Sequence, residues 1–135
     1  MLSLRKCLEE EKHKIQEILT KENITDLCLK DIVYVGLENE ELFGVIKAEK
    51  EENKWILKYL VIIDDKRGQN LGDALLRSIL NYLYSQGVHR IYFKSKETYF
   101  LKKGFSVNNN DELELNIPDF FSKGCNSCGG CNEVQ

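Results

Sequence analysis

The chain has 135 residues, a formal net charge of −3 and 42% hydrophobic residues. That length is typical of one domain, and the apolar content is enough for a core, which argues against a wholly disordered protein. The lack of a basic excess argues against a nucleic-acid partner, and no apolar run approaches the ~20 residues that span a bilayer. Since the N-terminal sequence also lacks a signal-peptide core, we expect a cytoplasmic protein with no membrane partner.

Hydrophobic periodicity predicts a mixed order of helices and strands. Apolar residues at three- and four-residue steps indicate helices, and β-branched or aromatic runs indicate strands. The near-continuous apolar run over 55–63 indicates a central strand buried on both faces, and Gly87 is well placed to end the long helix that follows. In chain order we predict a helix over 4–21, strands over 32–37, 42–46 and 55–63, a helix over 71–86, a strand over 90–93, a short helix over 97–103, and strands over 105–107 and 113–115. This order fits an α/β or α+β fold in which helices pack on one sheet.

The stretch from Ile62 to Leu76 is the most informative. A buried strand enters a turn that contains Gly68, and Gly72 follows at the start of a helix. The first N–H groups of a helix lack intrahelical partners and carry the positive end of its dipole, and glycine lets a bulky anion approach this backbone closely. With Arg67 as a charge-assisted donor, these features predict a phosphate cradle. The stretch has neither a P-loop nor a dinucleotide fingerprint, and an ordinary strand-to-helix turn stays the alternative.

The sequence Arg67-Gly68-Gln69-Asn70-Leu71-Gly72 resembles the pyrophosphate-binding motif R/Q-x-x-G-x-G/A of the GNAT N-acetyltransferase family. The segments around it resemble the family as well: Leu60-x-Ile62, Leu75-Leu76, Glu41-Leu42-Phe43-Gly44-Val45 and Leu101-Lys102-Lys103-Gly104-Phe105. Asn70 replaces the usual first glycine, and Asn tolerates left-handed backbone better than most residues. The resemblance covers roughly residues 8 to 118.

The resemblance implies a fold, a domain arrangement and a reaction. The implied fold is α/β (α+β), with a mixed, mostly antiparallel central sheet that is flanked by helices and splayed at the central strand. Residues 1–118 would form the acyl-CoA-binding domain, and residues 119–135 a cysteine-rich tail. The implied reaction is the direct transfer, in a ternary complex, of an acetyl group from acetyl-CoA to a primary amine of a small molecule, by a monomer or homodimer.

The same resemblance assigns residues to acetyl-CoA. The backbone N–H of Ile62 is the expected donor to the thioester oxygen as negative charge develops on it. Phe100 can pack on the cofactor, but it stands where the family often has a tyrosine that protonates the departing thiolate, and it cannot donate a proton. The expected contacts to acetyl-CoA are Ile62, Arg67, Gly68, Gln69, Asn70, Leu71, Gly72, Asp73 and Phe100.

A general acid and a general base are harder to assign. Tyr99 is next to Phe100, but adjacent residues on a helix point about 100° apart. Ile56 stands where the family often has a glutamate base on the central strand. Glu97, Tyr59 and Tyr99 stay as candidates, beside two alternatives: proton transfer through water, or a catalytically degenerate protein that binds acyl-CoA without turning it over.

A narrower similarity is to acetylglutamate-synthase-like acetyltransferases. These carry a basic residue on the central strand, Phe-Phe in the late helix and Leu-Pro afterwards, for which this chain has Lys58, Tyr99-Phe100 and Ile117-Pro118. The similarity implies an amino-acid-like acceptor whose carboxylate is held by Lys58, with Tyr59 beside it. The acidic balance of the chain favours a cationic or neutral acceptor instead, so the two indications conflict.

The end of the chain carries Cys125-x-x-Cys128-x-x-Cys131, so three of the five cysteines lie within the last eleven residues. Zinc and iron–sulfur clusters usually take four ligands. A fourth would come from a second chain or from one of Cys7, His13, Cys28 and His89. The alternatives to a metal site are a redox-active thiol tail, with the protein acting as a metal or redox sensor, and a tail with no defined role. Cys7 and Cys28 are otherwise expected to be small core residues.

Overall fold

The structure, a computed structural model, describes residues 2–26, 31–95 and 97–126, with side chains up to Ser122. The strands are β1 (Leu2–Lys6), β2 (Ile32–Glu38), β3 (Glu41–Glu51), β4 (Lys54–Ile62), β5 (Arg90–Phe93), β6 (Ser106–Val107) and β7 (Leu113–Asn116). The helices are α1 (Lys12–Lys21), α2 (Leu71–Ser85), α3 (Thr98–Lys102) and α4 (Ile117–Asn126), with single 3₁₀ turns at Glu9–Glu11 and Asp64–Lys66. No helix in this described part of the chain combines the length and apolarity needed to cross a membrane.

The strands form a seven-stranded sheet in the order β1-β2-β3-β4-β5-β7-β6. The β1–β2, β2–β3, β5–β7 and β6–β7 pairs are antiparallel, while β4 and β5 pair in parallel at Ile56 and Tyr92. Parallel neighbours need a crossover connection, which α2 provides between β4 and β5. The predicted α/β (α+β) fold with a mixed, mostly antiparallel sheet flanked by helices is confirmed.

The predicted helix over 4–21 is wrong in its first half. Residues Leu2–Lys6 form strand β1 and pair with β2 from Leu2 opposite Glu38 to Lys6 opposite Tyr34. Only Lys12–Lys21 is α-helical. The apolar residues of the N-terminal segment fit a helical spacing, but long-range pairing with β2 supplies hydrogen bonds that the local pattern does not reveal.

The chain divides into two compact units, and the first comprises the described residues of Met1–Lys50 and Leu57–Tyr82. Helix α1 packs on one face of β2, β3 and β4 through a buried cluster. The cluster consists of Ile15, Leu19, Val33, Val35, Leu37, Val45, Tyr59 and Val61. Gly44, the neighbour of Val45 on β3, faces the other way, and a Cβ atom there would lie 3.1 Å from Leu75 Cδ1 of α2. Helices α1 and α2 therefore cover opposite faces of these strands.

The second unit comprises the described residues of Glu51–Ile56 and Leu83–Gln135. Its aromatic core joins Phe93, Phe100 and Phe105, with ring centroids 4.3 Å apart for the first pair and 5.3 Å apart for the second. Helix α3 ends in a Schellman motif: Gly104 has φ +110°, its N–H donates to Leu101, and the N–H of Phe105 donates to the carbonyl of Phe100. The hydrophobic contact typical of this motif is the Phe100–Phe105 pair, which explains why phenylalanine follows the glycine.

Helix α4 is not among the predicted elements, which end with the strand over 113–115. Asn116 caps the helix by accepting the N–H of Asp119 on its side-chain oxygen at 2.9 Å, and proline is tolerated in a first helical turn. The segment Asn116-Ile117-Pro118 is therefore a helix start. The helix runs from Ile117 to Asn126, across the predicted boundary between residues 118 and 119.

Replacing Gly104 by Ala should lower the free energy of unfolding by about 1–2 kcal/mol, because an L-residue at this positive φ is strained. Chemical denaturation measures the change, with Lys103→Ala, one residue earlier and at φ −88°, as the control. Equal stability of the two variants would contradict the importance of this cap.

Candidate functional site

The turn between β4 and α2 combines two residues with left-handed backbone. Gly68 has φ +82° and Asn70 has φ +61°, and both are exposed. The carbonyl of Asn70 accepts the N–H of Ala74 at 3.2 Å, so Asn70 closes the first turn of α2. Asn70 thus adopts the conformation for which the family motif has glycine, at the small cost that Asn pays for positive φ.

Helix α2 begins directly after this turn, at Leu71. In any α-helix the N–H groups of the first residues have no acceptor within the helix, and they carry the positive end of its dipole. Here these residues are Leu71, Gly72 and Asp73. A Cβ atom added at Gly68 would meet nothing within 4 Å, so the backbone of the turn faces open space. This geometry fits an anion with several oxygens.

Arg67 lies in this turn, but its guanidinium already has partners. Its Nε donates to the carbonyl oxygen of Ile62 at 2.8 Å, Nη1 lies 2.8 Å from Asp64 Oδ1, and Nη2 lies 3.1 Å from Glu22 Oε2. The Arg67 side chain is 50% exposed. Since an exposed ion pair contributes only about 0–1 kcal/mol, an anion at the start of α2 can replace these carboxylates.

Lys66 was not predicted as part of the site. Its ammonium lies 2.6 Å from Glu38 Oε1 on β2. The hydrogen bond with Glu38 raises the pKa of Lys66 and lowers the pKa of Glu38, so both groups are charged at neutral pH. The lysine is visible in the sequence, but its partner lies 28 residues away, and no local pattern indicates the pair.

The orientation of the Ile62 peptide follows from its neighbour. The N–H of Ile63 donates to the carbonyl of Phe43 on β3 at 2.9 Å. Because consecutive N–H groups of an extended chain alternate in direction, the N–H of Ile62 points away from β3. This orientation fits the predicted oxyanion donor, and the assignment of that role stays a prediction.

The two predicted acceptor-binding residues on β4 lie on opposite faces of the strand. Lys58 is exposed and Tyr59 is buried, as alternation along a strand requires. The structure therefore does not bring the two side chains together on one face. Of the two, only Lys58 is exposed to a substrate in solution.

Tyr59 belongs to a partly buried ionic cluster with Asp26, Lys47 and Glu49. Lys47 is 3% exposed, and its Nζ lies 2.7 Å from Asp26 Oδ2 and 3.0 Å from Glu49 Oε2. The Tyr59 hydroxyl donates to the same Asp26 oxygen at 2.7 Å. Burial lowers the pKa of Lys47, but its hydrogen bonds to the two carboxylates outweigh burial and leave it raised.

The contacts within this cluster decide whether Tyr59 can act as a general base. Burial, and then the hydrogen bond to Asp26, raise the pKa of Tyr59 well above its ordinary value. Its hydroxyl is therefore protonated at neutral pH and is already used as a donor, so Tyr59 is a poor general base. Sequence reasoning did not single out Asp26, Lys47 or Glu49. The one available signal was a lysine inside the apolar run over 42–48.

The other candidates for proton transfer lie in the second unit. Glu97 precedes α3, is exposed, and accepts the N–H of Phe100 on its backbone carbonyl at 3.1 Å. Tyr99 is 37% exposed, whereas Phe100 is 3% exposed and lies between Phe93 and Phe105. Phe100, predicted to contact acetyl-CoA, is thus a core residue of this unit. The two candidates for proton transfer in this segment, Glu97 and Tyr99, are both exposed.

The cysteine predictions fall mostly outside the described residues. Cys28, Cys128 and Cys131 lie outside them, and of Cys125 only the backbone, within α4, is described. Cys7 is half-buried against the first unit's core, and burial raises the pKa of its thiol, as expected for a small core residue. Over 2–26, 31–95 and 97–122, no three His, Cys, Asp or Glu side chains form a group that could hold a metal ion.

Comparison with known proteins identifies relatives of this sequence and fold. The family described as Acetyltransferase (GNAT) domain matches residues 3–106. No curated protein matches the sequence. The PaiA N-acetyltransferase of Thermoplasma acidophilum, solved with coenzyme A, is 14% identical with a TM-score of 0.66, and the match covers 86% of this chain and 99% of that chain.

Two other solved structures give a similar match. The ribosomal-protein-S18-alanine N-acetyltransferase of Escherichia coli is 12% identical with a TM-score of 0.74, over 87% of this chain and 94% of that chain. The N-acetylglutamate synthase of Neisseria gonorrhoeae, solved with coenzyme A and L-arginine, is 15% identical with a TM-score of 0.71, over 85% of this chain and 33% of that chain. These similarities show the fold, and they do not single out the acetylglutamate-synthase-like subgroup.

Replacing Asn70 by Val should lower the free energy of unfolding by about 1–2 kcal/mol, because a β-branched residue is strained at positive φ. Asn70→Gly is the matched control and should retain wild-type stability, since glycine adopts this conformation readily. Urea denaturation compares the two variants. If the Val variant were as stable as the Gly variant, the left-handed conformation at this position would be unsupported.

The raised pKa of Tyr59 predicts how stability depends on alkaline pH. Above about pH 10 an unfolded tyrosine releases its proton, while the folded chain retains the proton on Tyr59. The unfolded state then binds fewer protons, so the free energy of unfolding falls as pH rises. Tyr59→Phe should remove part of this dependence and cost about 1–3 kcal/mol near neutral pH, because Asp26 loses a donor.

Tyr84→Phe provides the control for this experiment, because Tyr84 is 43% exposed. Urea denaturation between about pH 7 and 11 gives the dependence for each variant. An identical pH dependence for wild type and Tyr59→Phe would show that the hydroxyl of Tyr59 is not held by the cluster.

Proposed function

The chain belongs to the GNAT acetyltransferase family, and we propose that it transfers the acetyl group of acetyl-CoA directly to a primary amine of a small molecule. The observation that carries this proposal is the exposed turn directly before α2, in which Gly68 and Asn70 have positive φ angles and the space beside Gly68 is open. The coenzyme A bound to the similar PaiA structure supports the choice of co-substrate.

The pyrophosphate of acetyl-CoA would be held by two kinds of donor. The N–H groups of Leu71, Gly72 and Asp73 offer the positive end of α2. Arg67 adds a charged, forked donor from the turn. Backbone donors on a helix start are rigid, so they bind the anion without ordering flexible side chains.

Acetyl transfer requires stabilisation of the oxygen that becomes negatively charged. The amine nitrogen bonds to the thioester carbon, charge develops on the carbonyl oxygen, and the carbon–sulfur bond then breaks to release the thiolate. The N–H of Ile62, directed away from β3, donates to that oxygen in our proposal. The proton lost by the amine goes to a base or to water, and the thiolate takes up a proton.

The proton-transfer residues are Glu97 and Tyr99 in our proposal, because they are the exposed candidates. Phe100 has no proton to give, and the Tyr59 hydroxyl is engaged with Asp26. Transfer through water is the remaining route. The finer form of the proposal, an amino-acid-like acceptor with a carboxylate at Lys58, rests on the narrower sequence similarity and on the exposure of Lys58.

A second function, binding of acyl-CoA without turnover, is favoured by one specific observation. The chain has Phe100 and Ile56 where relatives often carry a proton donor and a base, and both side chains are buried. This alternative predicts coenzyme A binding with no amine-dependent release of free thiol. Incubation with acetyl-CoA and a panel of amines, with chromatographic separation of coenzyme A, distinguishes the two functions without interference from the five cysteines of the chain.

Replacing Gly72 by Leu should weaken coenzyme A binding by more than about tenfold, because the side chain would obstruct the approach of the pyrophosphate to the backbone. Leu is a better helix former than Gly, so a general loss of helix α2 is not expected. Isothermal titration calorimetry measures the affinity. The control is Ser85→Leu at the other, exposed end of the same helix, and unchanged affinity in Gly72→Leu would refute the cradle.

A further inference from the structure

The guanidinium of Arg67 is shared by two carboxylates from different parts of the first unit. Asp64 lies three residues before it in the same turn, and its side chain is 83% exposed. Glu22 lies at the end of α1, and its side chain is 37% exposed. With one positive and two negative groups, this trio has a net charge of −1. A pyrophosphate approaching the start of α2 therefore meets an arginine that is already neutralised.

The position of Glu22 is fixed by the end of α1. The N–H of Asn23 donates to the carbonyl of Thr20, and the N–H of Ile24 donates to that of Leu19, at 3.1 and 2.9 Å. With Asn23 at φ +60°, this is a Schellman motif. Its hydrophobic member, Ile24, packs against the first unit's core. The backbone at Glu22 is thus fixed by a helix cap, whereas Asp64 belongs to the turn itself.

These observations define a competition for one cation. An anion and the Glu22 carboxylate draw on the same guanidinium, whose Nε is committed to the carbonyl of Ile62 at 2.8 Å and whose Nη1 and Nη2 already face Asp64 and Glu22. Each Nη carries two N–H groups, so an anion that binds this guanidinium either displaces Glu22 or lies beside its negative charge, and both weaken the binding. The pair is partly exposed, so its contribution is small but measurable.

We propose that Glu22 is an affinity-determining residue, whose carboxylate competes with the pyrophosphate of coenzyme A for Arg67. This inference rests on the proposed function for the identity of the anion. It goes beyond that function by assigning a role to Glu22, the residue that caps the end of α1 and lies outside the pyrophosphate motif. Removing the Glu22 charge should tighten anion binding through Arg67.

The test is the affinity of Glu22→Gln for coenzyme A and for inorganic pyrophosphate, measured by calorimetry. We expect Kd to fall by about two- to fivefold for both probes, and the difference to shrink at high salt, because screening weakens exposed pairs. Glu17→Gln is the matched control. Glu17 is exposed and lies on α1, and its substitution removes the same charge as Glu22→Gln. If Glu22→Gln binds no more tightly than Glu17→Gln, the proposal is wrong.

A double-mutant comparison separates direct competition from a general effect of charge. In an Arg67→Gln background, Glu22→Gln should no longer change Kd, because the guanidinium for which Glu22 and the anion compete is absent. An undiminished effect in that background would overturn the proposal.

If wild type binds pyrophosphate with the expected Glu22 dependence but not coenzyme A, the proposed function fails and the role of Glu22 stands. If neither probe binds to wild type or Glu22→Gln, both are refuted.

Discussion

The N–H groups at the start of α2 carry the positive end of the helix dipole, and the turn before them determines where they point. Gly68 and Asn70 hold that turn in left-handed backbone, and Arg67 ties it to the last residue of β4 through the Ile62 carbonyl. The direction of the Ile62 N–H, the access of an anion and the partners of Arg67 all depend on this junction. A change in its backbone would alter binding and chemistry together.

The packing of the first unit supports the junction from both faces of the sheet. Gly44 lets α2 approach β3 closely, since a Cβ there would lie 3.1 Å from Leu75 Cδ1 of α2. On the other face, α1 packs on the buried cluster of the first unit. The contacts of Asp26 with Lys47 and Tyr59 hold the segment that follows α1. Breaking a buried ion pair by removing one partner is costly, so these polar contacts help to fix a single arrangement.

Sequence reasoning predicted what local patterns encode. It found α2, its glycine cap at Gly87, the central strand β4 and the turn at Gly68 before α2, because each has a periodicity or a turn residue of its own. It missed β1, whose stability comes from pairing with β2, and it missed α4, which starts after the Asn116 cap. The ion partners Glu22 of Arg67 and Asp26 of Lys47 come from distant segments and leave no local signal.

The central claim is that the junction of β4 and α2 binds the pyrophosphate of acetyl-CoA. Titration of ¹⁵N-labelled protein with coenzyme A, followed by amide chemical shifts, tests it most directly. The account predicts that the largest shift changes fall on the amides of Ile62 and of Arg67 to Asp73, at the end of β4 and the start of α2. Saturable changes confined to other residues, or none at millimolar coenzyme A, would contradict it.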